Sequence, residues 1–149
     1  MGEGVTKRPI LRCFLAVLLM LAPPCVAQDR FDSGQMKGFT KSPTEHIVIT
    51  LEVPITVYAV QGTVLLDNHD DQEEPIGDVI FELRGPGTSE CIRATRSKEN
   101  GRFKITRVPF GSYIFKATKD GYQSVVGTLI LSKEADRRNR VTIKLPVGV

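Results

Sequence analysis

The chain has 149 residues, of which 25% are charged and 41% are hydrophobic, a mixture typical of one globular domain rather than a disordered segment. Tryptophan is absent, and 13 glycines favour turns and short strands. The formal charge of +3 overstates the basic character, because +2 of it comes from the first 27 residues, which we expect to be removed. The remaining +1 gives no general electrostatic case for binding nucleic acid or an anionic membrane.

The first 27 residues have the three-part layout of a secretory signal peptide. A basic start that includes Lys7 and Arg12 precedes an unbroken apolar run from Cys13 to Ala22. Two prolines end the run, and Cys25-Val26-Ala27 offers the small residues that a signal peptidase recognises. The run is shorter than the roughly 20 residues of a membrane span. We therefore expect a secreted or periplasmic mature protein without a transmembrane segment.

Cysteine usage agrees with export but provides no disulfide framework. Cys13 and Cys25 fall in the signal segment, so Cys91 is left alone in the mature chain and the fold must depend on its core. Cys25 could instead carry a lipid anchor, although the prolines before it fit a lipoprotein box poorly. For Cys91 we favour a buried or half-buried strand residue over a reactive thiol, and pairing between chains stays open.

The segment from Gln28 to Glu45 is polar and has no apolar period, and its two phenylalanines, Phe31 and Phe39, are isolated. Such a composition is typical of a flexible tether. From residue 46 the composition changes to short β-rich runs. The predicted organisation is a signal peptide over residues 1–27, a flexible linker over 28–45 and one domain over 46–149.

Runs of alternating apolar and polar residues, separated by turn residues, follow along the domain. This period of two indicates strands with one buried and one solvated face. The runs are His46–Leu51, Thr56–Leu66, Val79–Leu83, Cys91–Arg96, Arg102–Thr106, Tyr113–Thr118, Val125–Leu131 and Val141–Leu145. Pro54 separates the first two, and Asn100-Gly101 predicts a tight hairpin with a positive φ at Gly101. The pattern predicts an all-β fold, a seven- or eight-stranded antiparallel Greek-key-type sandwich.

The alternation also predicts which side chains fill the core. Glu82 and Lys116 fall on the faces opposite to the apolar residues of their runs, so both are predicted to be solvated. The predicted core consists of Val64, Val79, Phe81, Leu83, Phe103, Ile105, Tyr113, Phe115, Leu129, Val141 and Ile143.

Several short motifs occur in a specific order along the domain. They are Gly62-Thr63-Val64, Pro75–Leu83, Ala94-Thr95, Asn100–Phe103, Val108–Tyr113 and Lys119–Tyr122. In this order and spacing they resemble the carboxypeptidase regulatory-like domain family, over about Tyr58 to Pro146. The resemblance implies a transthyretin-like (prealbumin-like) β-sandwich. It also implies a non-catalytic module of the kind found on exported enzymes, receptors and surface proteins.

The sequence contains no recognisable catalytic or cofactor site. His46 and His69 fall in separate segments, and there is no pattern typical of a nucleophile elbow, a zinc protease, a redox pair or a phosphate-binding loop. We therefore predict that the protein is not an enzyme, has no catalytic residues and needs no cofactor.

One acidic loop is the candidate metal site. Its carboxylates belong to Asp67, Asp70, Asp71, Glu73 and Glu74, and oxygen ligands of this kind suit Ca²⁺. The loop lacks the spacing and the mid-loop glycine of a helix–loop–helix calcium site. We therefore favour a solvated hairpin loop with no bound metal over a calcium site.

The first functional hypothesis is a non-enzymatic binding or structural module that acts in protein–protein contacts outside the cytoplasm, since exposed sheet edges can accept a partner strand. The partner would be a protein or another cell-surface component. The alternative is a carbohydrate-binding module, calcium-dependent if the acidic loop binds the ion. A sugar platform needs exposed aromatic rings, and Tyr58 is the aromatic whose position the pattern leaves open.

A basic stretch near the C-terminal end includes Lys133, Arg137, Arg138 and Arg140. Acidic residues interrupt it, so the mixed sign predicts a solvated turn. A contact with an acidic polysaccharide or a lipid headgroup is the lesser alternative for this stretch.

Overall fold

The computed structural model describes Met1 and residues 36–41, 48–68, 72–88 and 90–148. Within these residues the chain forms nine strands and no helix. The strands are β1 (Val48–Thr50), β2 (Ile55–Val57), β3 (Gln61–Leu66), β4 (Ile80–Arg84), β5 (Cys91–Arg96), β6 (Arg102–Lys104), β7 (Gly111–Thr118), β8 (Ser124–Leu131) and β9 (Val141–Leu145).

The strands form two sheets, as the predicted sandwich requires. The larger sheet has the order β1-β8-β7-β4-β5, with β2 also paired to β8, and the smaller has the order β6-β3-β9. The prediction of a purely antiparallel pairing is wrong, because β1 and β2 run parallel to β8, and β9 runs parallel to β3. Pro54, which was predicted to separate the first two runs, lies between β1 and β2, and both of these short strands pair with β8.

The core lies between the two sheets and contains all eleven predicted residues, each buried. Three aromatic rings stack at its centre, with the ring of Phe81 4.4 Å from that of Phe103 and 5.4 Å from that of Phe115. Phe103 belongs to the small sheet and the other two to the large one, so this stack joins the two layers. The positive φ predicted at Gly101 is confirmed at 73°.

The run predicted as one strand over Thr56–Leu66 is divided into β2 and β3. The Val57 carbonyl accepts a hydrogen bond from Ser132, which follows β8, whereas the Val60 carbonyl accepts one from Ile105, which follows β6. The chain therefore passes from the large sheet to the small one between these two buried valines. Alternation alone could not predict this break, because apolar residues continue through it.

The prediction that Glu82 and Lys116 are solvated is wrong. These two residues are direct cross-strand partners on β4 and β7, with exposed fractions of 5% and 1%. Residues 36–41 cover them: Thr40 donates its backbone N–H and its hydroxyl to the Glu82 carboxylate, and the Lys116 ammonium donates to the Thr40 carbonyl. A period of two identifies the outer face of a strand, but it does not show that another segment covers that face.

Phe39 is also buried, at 6% exposure, and is not isolated as the sequence suggested. The guanidinium of Arg84 lies over its ring at 4.9 Å from the centroid, and it donates a hydrogen bond to the Lys37 carbonyl. Residues 36–41 of the predicted linker therefore pack on the large sheet. The rest of that linker and residues 2–27 of the predicted signal peptide lie outside the described residues. In the part that is described, no helix is long and apolar enough to span a membrane.

Candidate functional site

Strand β5 forms one edge of the large sheet. Among the described residues it has a strand neighbour on one side, β4, and most of its side chains are exposed, including 36% of Ile92. The Ser97 N–H, just after β5, donates to the Val79 carbonyl, so it points towards the sheet. Because backbone groups alternate in direction along a strand, the N–H groups of Arg96 and Ala94 point away from it. We call this outward side the β5 edge.

The β5 edge is partly closed at its beginning. The Arg93 guanidinium donates a hydrogen bond of 2.7 Å to the Ile92 carbonyl, and the register with β4 shifts between Leu83 and Arg84. Charged side chains and irregularities of this kind are common protections of edge strands against unselective pairing. The half from Ala94 to Arg96 is regularly paired with β4 and is therefore the part best suited to accept another strand.

An open groove of about 540 Å³ lies beside this half of β5. Five of its ten lining residues are basic and none is acidic. Its lining consists of Gln61, Gly62, Thr63, Thr95, Arg96, Lys98, Arg102, Phe103, Lys104 and Arg140. We call it the basic groove.

Sheet register explains why basic side chains collect there. The pair of Gly62 with Phe103 faces the core, since Phe103 is buried. The neighbouring pairs, Gln61 with Lys104 and Thr63 with Arg102, must then face outward. Two basic residues that flank a buried phenylalanine in the sequence thus stand side by side on the outer face of the small sheet.

Few carboxylates balance this charge. Arg96 donates to the Asp78 carboxylate at 2.9 Å, with 59% and 73% of the two side chains exposed. The Arg140 guanidinium donates to the carbonyls of Arg137 and Asn139 at 2.6 and 3.1 Å, and it forms no ion pair with a carboxylate in the part of the chain that the structure describes. The ion pair of Arg96 with Asp78 is weak because both side chains are largely exposed, so the groove as a whole keeps a positive potential.

The basic groove was not predicted from the sequence, because most of its cations lie outside the basic stretch near the C-terminal end. Of the four basic residues of that stretch, Lys133, Arg137, Arg138 and Arg140, only Arg140 lines the groove. The available signal was the alternation of Arg102 and Lys104 around one core residue.

A second surface brings together the aromatic residue that the sequence left unplaced and part of the basic stretch. The rings of Tyr58 and Phe110 meet edge to face at 5.6 Å. The Arg137 guanidinium lies 4.8 Å from the Tyr58 centroid, and the Lys133 ammonium lies 5.7 Å from the Phe110 centroid. Cations therefore lie over both rings, an arrangement that differs from the open aromatic face of a sugar platform. The carbohydrate alternative gains no support from it.

The acidic loop joins β3 to β4, and its two ends are held against the sheets. Leu66 donates its N–H to the Glu74 carbonyl at 2.7 Å, and Asp67 donates its N–H to the Leu145 carbonyl at 3.0 Å. Two of the five candidate ligands, Asp70 and Asp71, lie outside the described residues. Within the ranges that the structure does describe, no three acidic, histidine or cysteine residues converge as metal ligands would. The prediction of a metal-free loop stays a prediction.

Cys91 begins β5 and is half-buried, in agreement with the interpretation favoured from the sequence. Its thiol contacts the Arg93 carbonyl at 3.1 Å. Burial, and then the negative charge of Glu82, raise the pKa of the Cys91 thiol above its ordinary value. A raised pKa lowers the fraction of reactive thiolate, so these surroundings do not activate the residue as a nucleophile. Both histidines lie outside the described residues.

A comparison with protein-family models gives a match over residues 55–144, from the start of β2 almost to the end of β9. The matching family is described as the second β-sandwich domain of BOS complex subunit NOMO1-like proteins. A comparison with curated proteins finds no match.

Proposed function

The chain belongs to the NOMO1-like second β-sandwich domain family, and on this premise we propose that it is a non-enzymatic module that takes part in a protein complex. The family description names a complex subunit, which supports a protein partner for this domain. The observation that carries the proposal is the β5 edge, where the N–H groups of Ala94 and Arg96 point outward beside the exposed side chain of Ile92. An extended partner segment could add there as a further strand.

Two finer points belong to the same proposal. The signal-like pattern of residues 1–27 supports action outside the cytoplasm, as a secreted or periplasmic protein. The ordered motifs from Gly62 to Tyr122 support a relationship to carboxypeptidase regulatory-like domains in addition to the matched family. N-terminal analysis of the exported protein would test the first point, because cleavage should leave Gln28 as the first residue.

Site-specific photo-crosslinking in the producing cells tests strand addition at the β5 edge. A photoreactive residue at Ile92 should form a discrete adduct with another protein, whereas one at Val53, which is 77% exposed in the segment between β1 and β2, should not. Ala94→Pro should abolish the adduct, since proline removes an outward N–H without removing a bond to β4. Ala94→Ser keeps the N–H and should retain the adduct.

Three results would contradict the proposal. The Ile92 position could give no adduct, the Val53 position could give the same adduct, or the adduct could persist in Ala94→Pro. Thermal unfolding of the two Ala94 variants is the control, because the comparison requires that both remain folded.

A further inference from the structure

The basic groove lies beside the same half of β5 that the proposed strand addition would use. Thr95 and Arg96 of β5 form one of its walls, and Arg102 and Lys104 of β6 belong to its small-sheet side. A segment added along β5 would therefore run next to the groove and could place alternate side chains in it.

We propose that the basic groove selects an extended acidic segment of a partner protein, an inference that rests on the proposed function. Arg102 and Lys104 are alternate residues of one strand, so their side chains leave the backbone about 7 Å apart. An extended peptide repeats its own side chains on one face at the same spacing. Carboxylates at every second position of such a peptide match both cations.

The cations of the groove are available for a partner. Among the described residues, Arg96 forms an ion pair with Asp78, whereas Lys98, Arg102 and Lys104 form none. Arg102 and Lys104 are exposed, so binding an anion costs them little additional desolvation. Arginine also offers a planar fork of donors that fits a carboxylate through two hydrogen bonds.

The composition of the lining favours a peptide over a neutral sugar. Its one aromatic residue, Phe103, is 95% buried in the core and offers no ring face to a ligand. The rings of half-buried Tyr58 and exposed Phe110 belong to the other surface and do not line the groove. The neighbouring β5 edge supplies backbone groups that pair with a peptide backbone. A sulfated glycan could match the charge but not these backbone groups.

Fluorescence anisotropy with the purified protein and a fluorescein-labelled octapeptide of alternating glutamate and threonine tests the proposal. We expect saturable binding that weakens as salt is added, since exposed charges are screened. The matched peptide of alternating glutamine and threonine should not bind. The double variant Arg102→Glu and Lys104→Glu should bind the acidic peptide more weakly by on the order of tenfold or more.

The double variant Lys133→Glu and Arg138→Glu is the matched control, because it changes the net charge equally but leaves the groove intact. It should bind within about twofold of the unmodified protein, since long-range effects of surface charge are screened. Arg140→Glu reverses the charge of a groove residue that lies outside β6, just before β9, and it should also weaken binding. Melting temperatures confirm that each variant is folded.

The proposal is overturned if the acidic peptide does not bind, if the glutamine peptide binds equally, or if heparin binds and the peptide does not. Equal losses in the groove variant and in the control variant would also overturn it, because the effect would then be one of net charge. These outcomes leave the proposed function standing as long as the Ile92 adduct forms and disappears in Ala94→Pro. If the Ile92 adduct does not form, or if it persists in Ala94→Pro, strand addition itself is contradicted.

Discussion

Thr40 donates both its backbone N–H and its hydroxyl to the carboxylate of Glu82, at 3.0 and 2.9 Å. The two residues are 42 positions apart, and the contact holds the 36–41 segment against the outer face of the large sheet. The same threonine accepts a hydrogen bond from the ammonium of Lys116 through its carbonyl. The buried charges on this face are therefore partnered by backbone and side-chain groups of a segment outside the sheet.

Thr40→Val should lower the free energy of unfolding by roughly 1.5–3 kcal/mol, because it removes one partly buried hydrogen bond to a charged acceptor. The matched control is Thr88→Val, because the Thr88 hydroxyl donates an exposed hydrogen bond to the Gly85 carbonyl. Denaturant unfolding of both variants checks this. Equal, negligible losses would show that the 36–41 segment adds nothing to stability.

The contribution of Lys116 to stability should rise with pH above about 8. Burial lowers the pKa of Lys116 from 10.5 to about 8, so between these values the unfolded chain holds more protons than the folded one. Below pH 8 both states are protonated and the cost of burying the charge is fully present. Urea unfolding at pH 7 to 10 measures the slope of the free energy of unfolding against pH.

Lys116→Met should remove the increase in the free energy of unfolding with pH. Lys104→Met, which replaces an exposed lysine, should keep it. The difference between the two pH profiles isolates Lys116 from the other groups that titrate in this range. Identical profiles would contradict the burial of a charged Lys116.

Gly101→Ala should destabilise the fold more than Gly87→Ala. Both glycines have a φ of 73°, so both variants carry the cost of a left-handed conformation, about 1–2 kcal/mol. A methyl group at Gly87 meets open space, whereas one at Gly101 would collide with the backbone carbonyl of Val64. Thermal unfolding measures the difference, and equal losses would mean that the hairpin does not approach β3 so closely.

Phe103→Ala should cost roughly 3–5 kcal/mol, because it empties the aromatic stack between the two sheets. Phe110→Ala removes the same side chain from a site where 44% of it is exposed, and it should cost much less. Chemical denaturation of both proteins compares the two positions. A small loss at Phe103 would contradict its place in the core.

The sequence predicted the inner faces of the strands well, because burial of one face imposes a period of two on residues such as Phe81, Phe103 and Phe115. It failed for Glu82 and Lys116, since a covering segment without a period leaves no signal in the strands that it covers. The basic groove was missed for a related reason. Its cations come from β5, β6, the turn between them and Arg140 just before β9, and sheet topology, rather than closeness in sequence, brings them together.

The central claim is that a partner segment adds to the β5 edge, and amide hydrogen exchange tests it most directly. With the acidic octapeptide at saturation, the outward N–H groups of Ala94 and Arg96 should exchange more slowly, because each would donate to the added strand. The N–H of Thr142, on β9 at the far side of the small sheet, should be unchanged. Unchanged exchange at Ala94 and Arg96 while the peptide is bound would contradict the account.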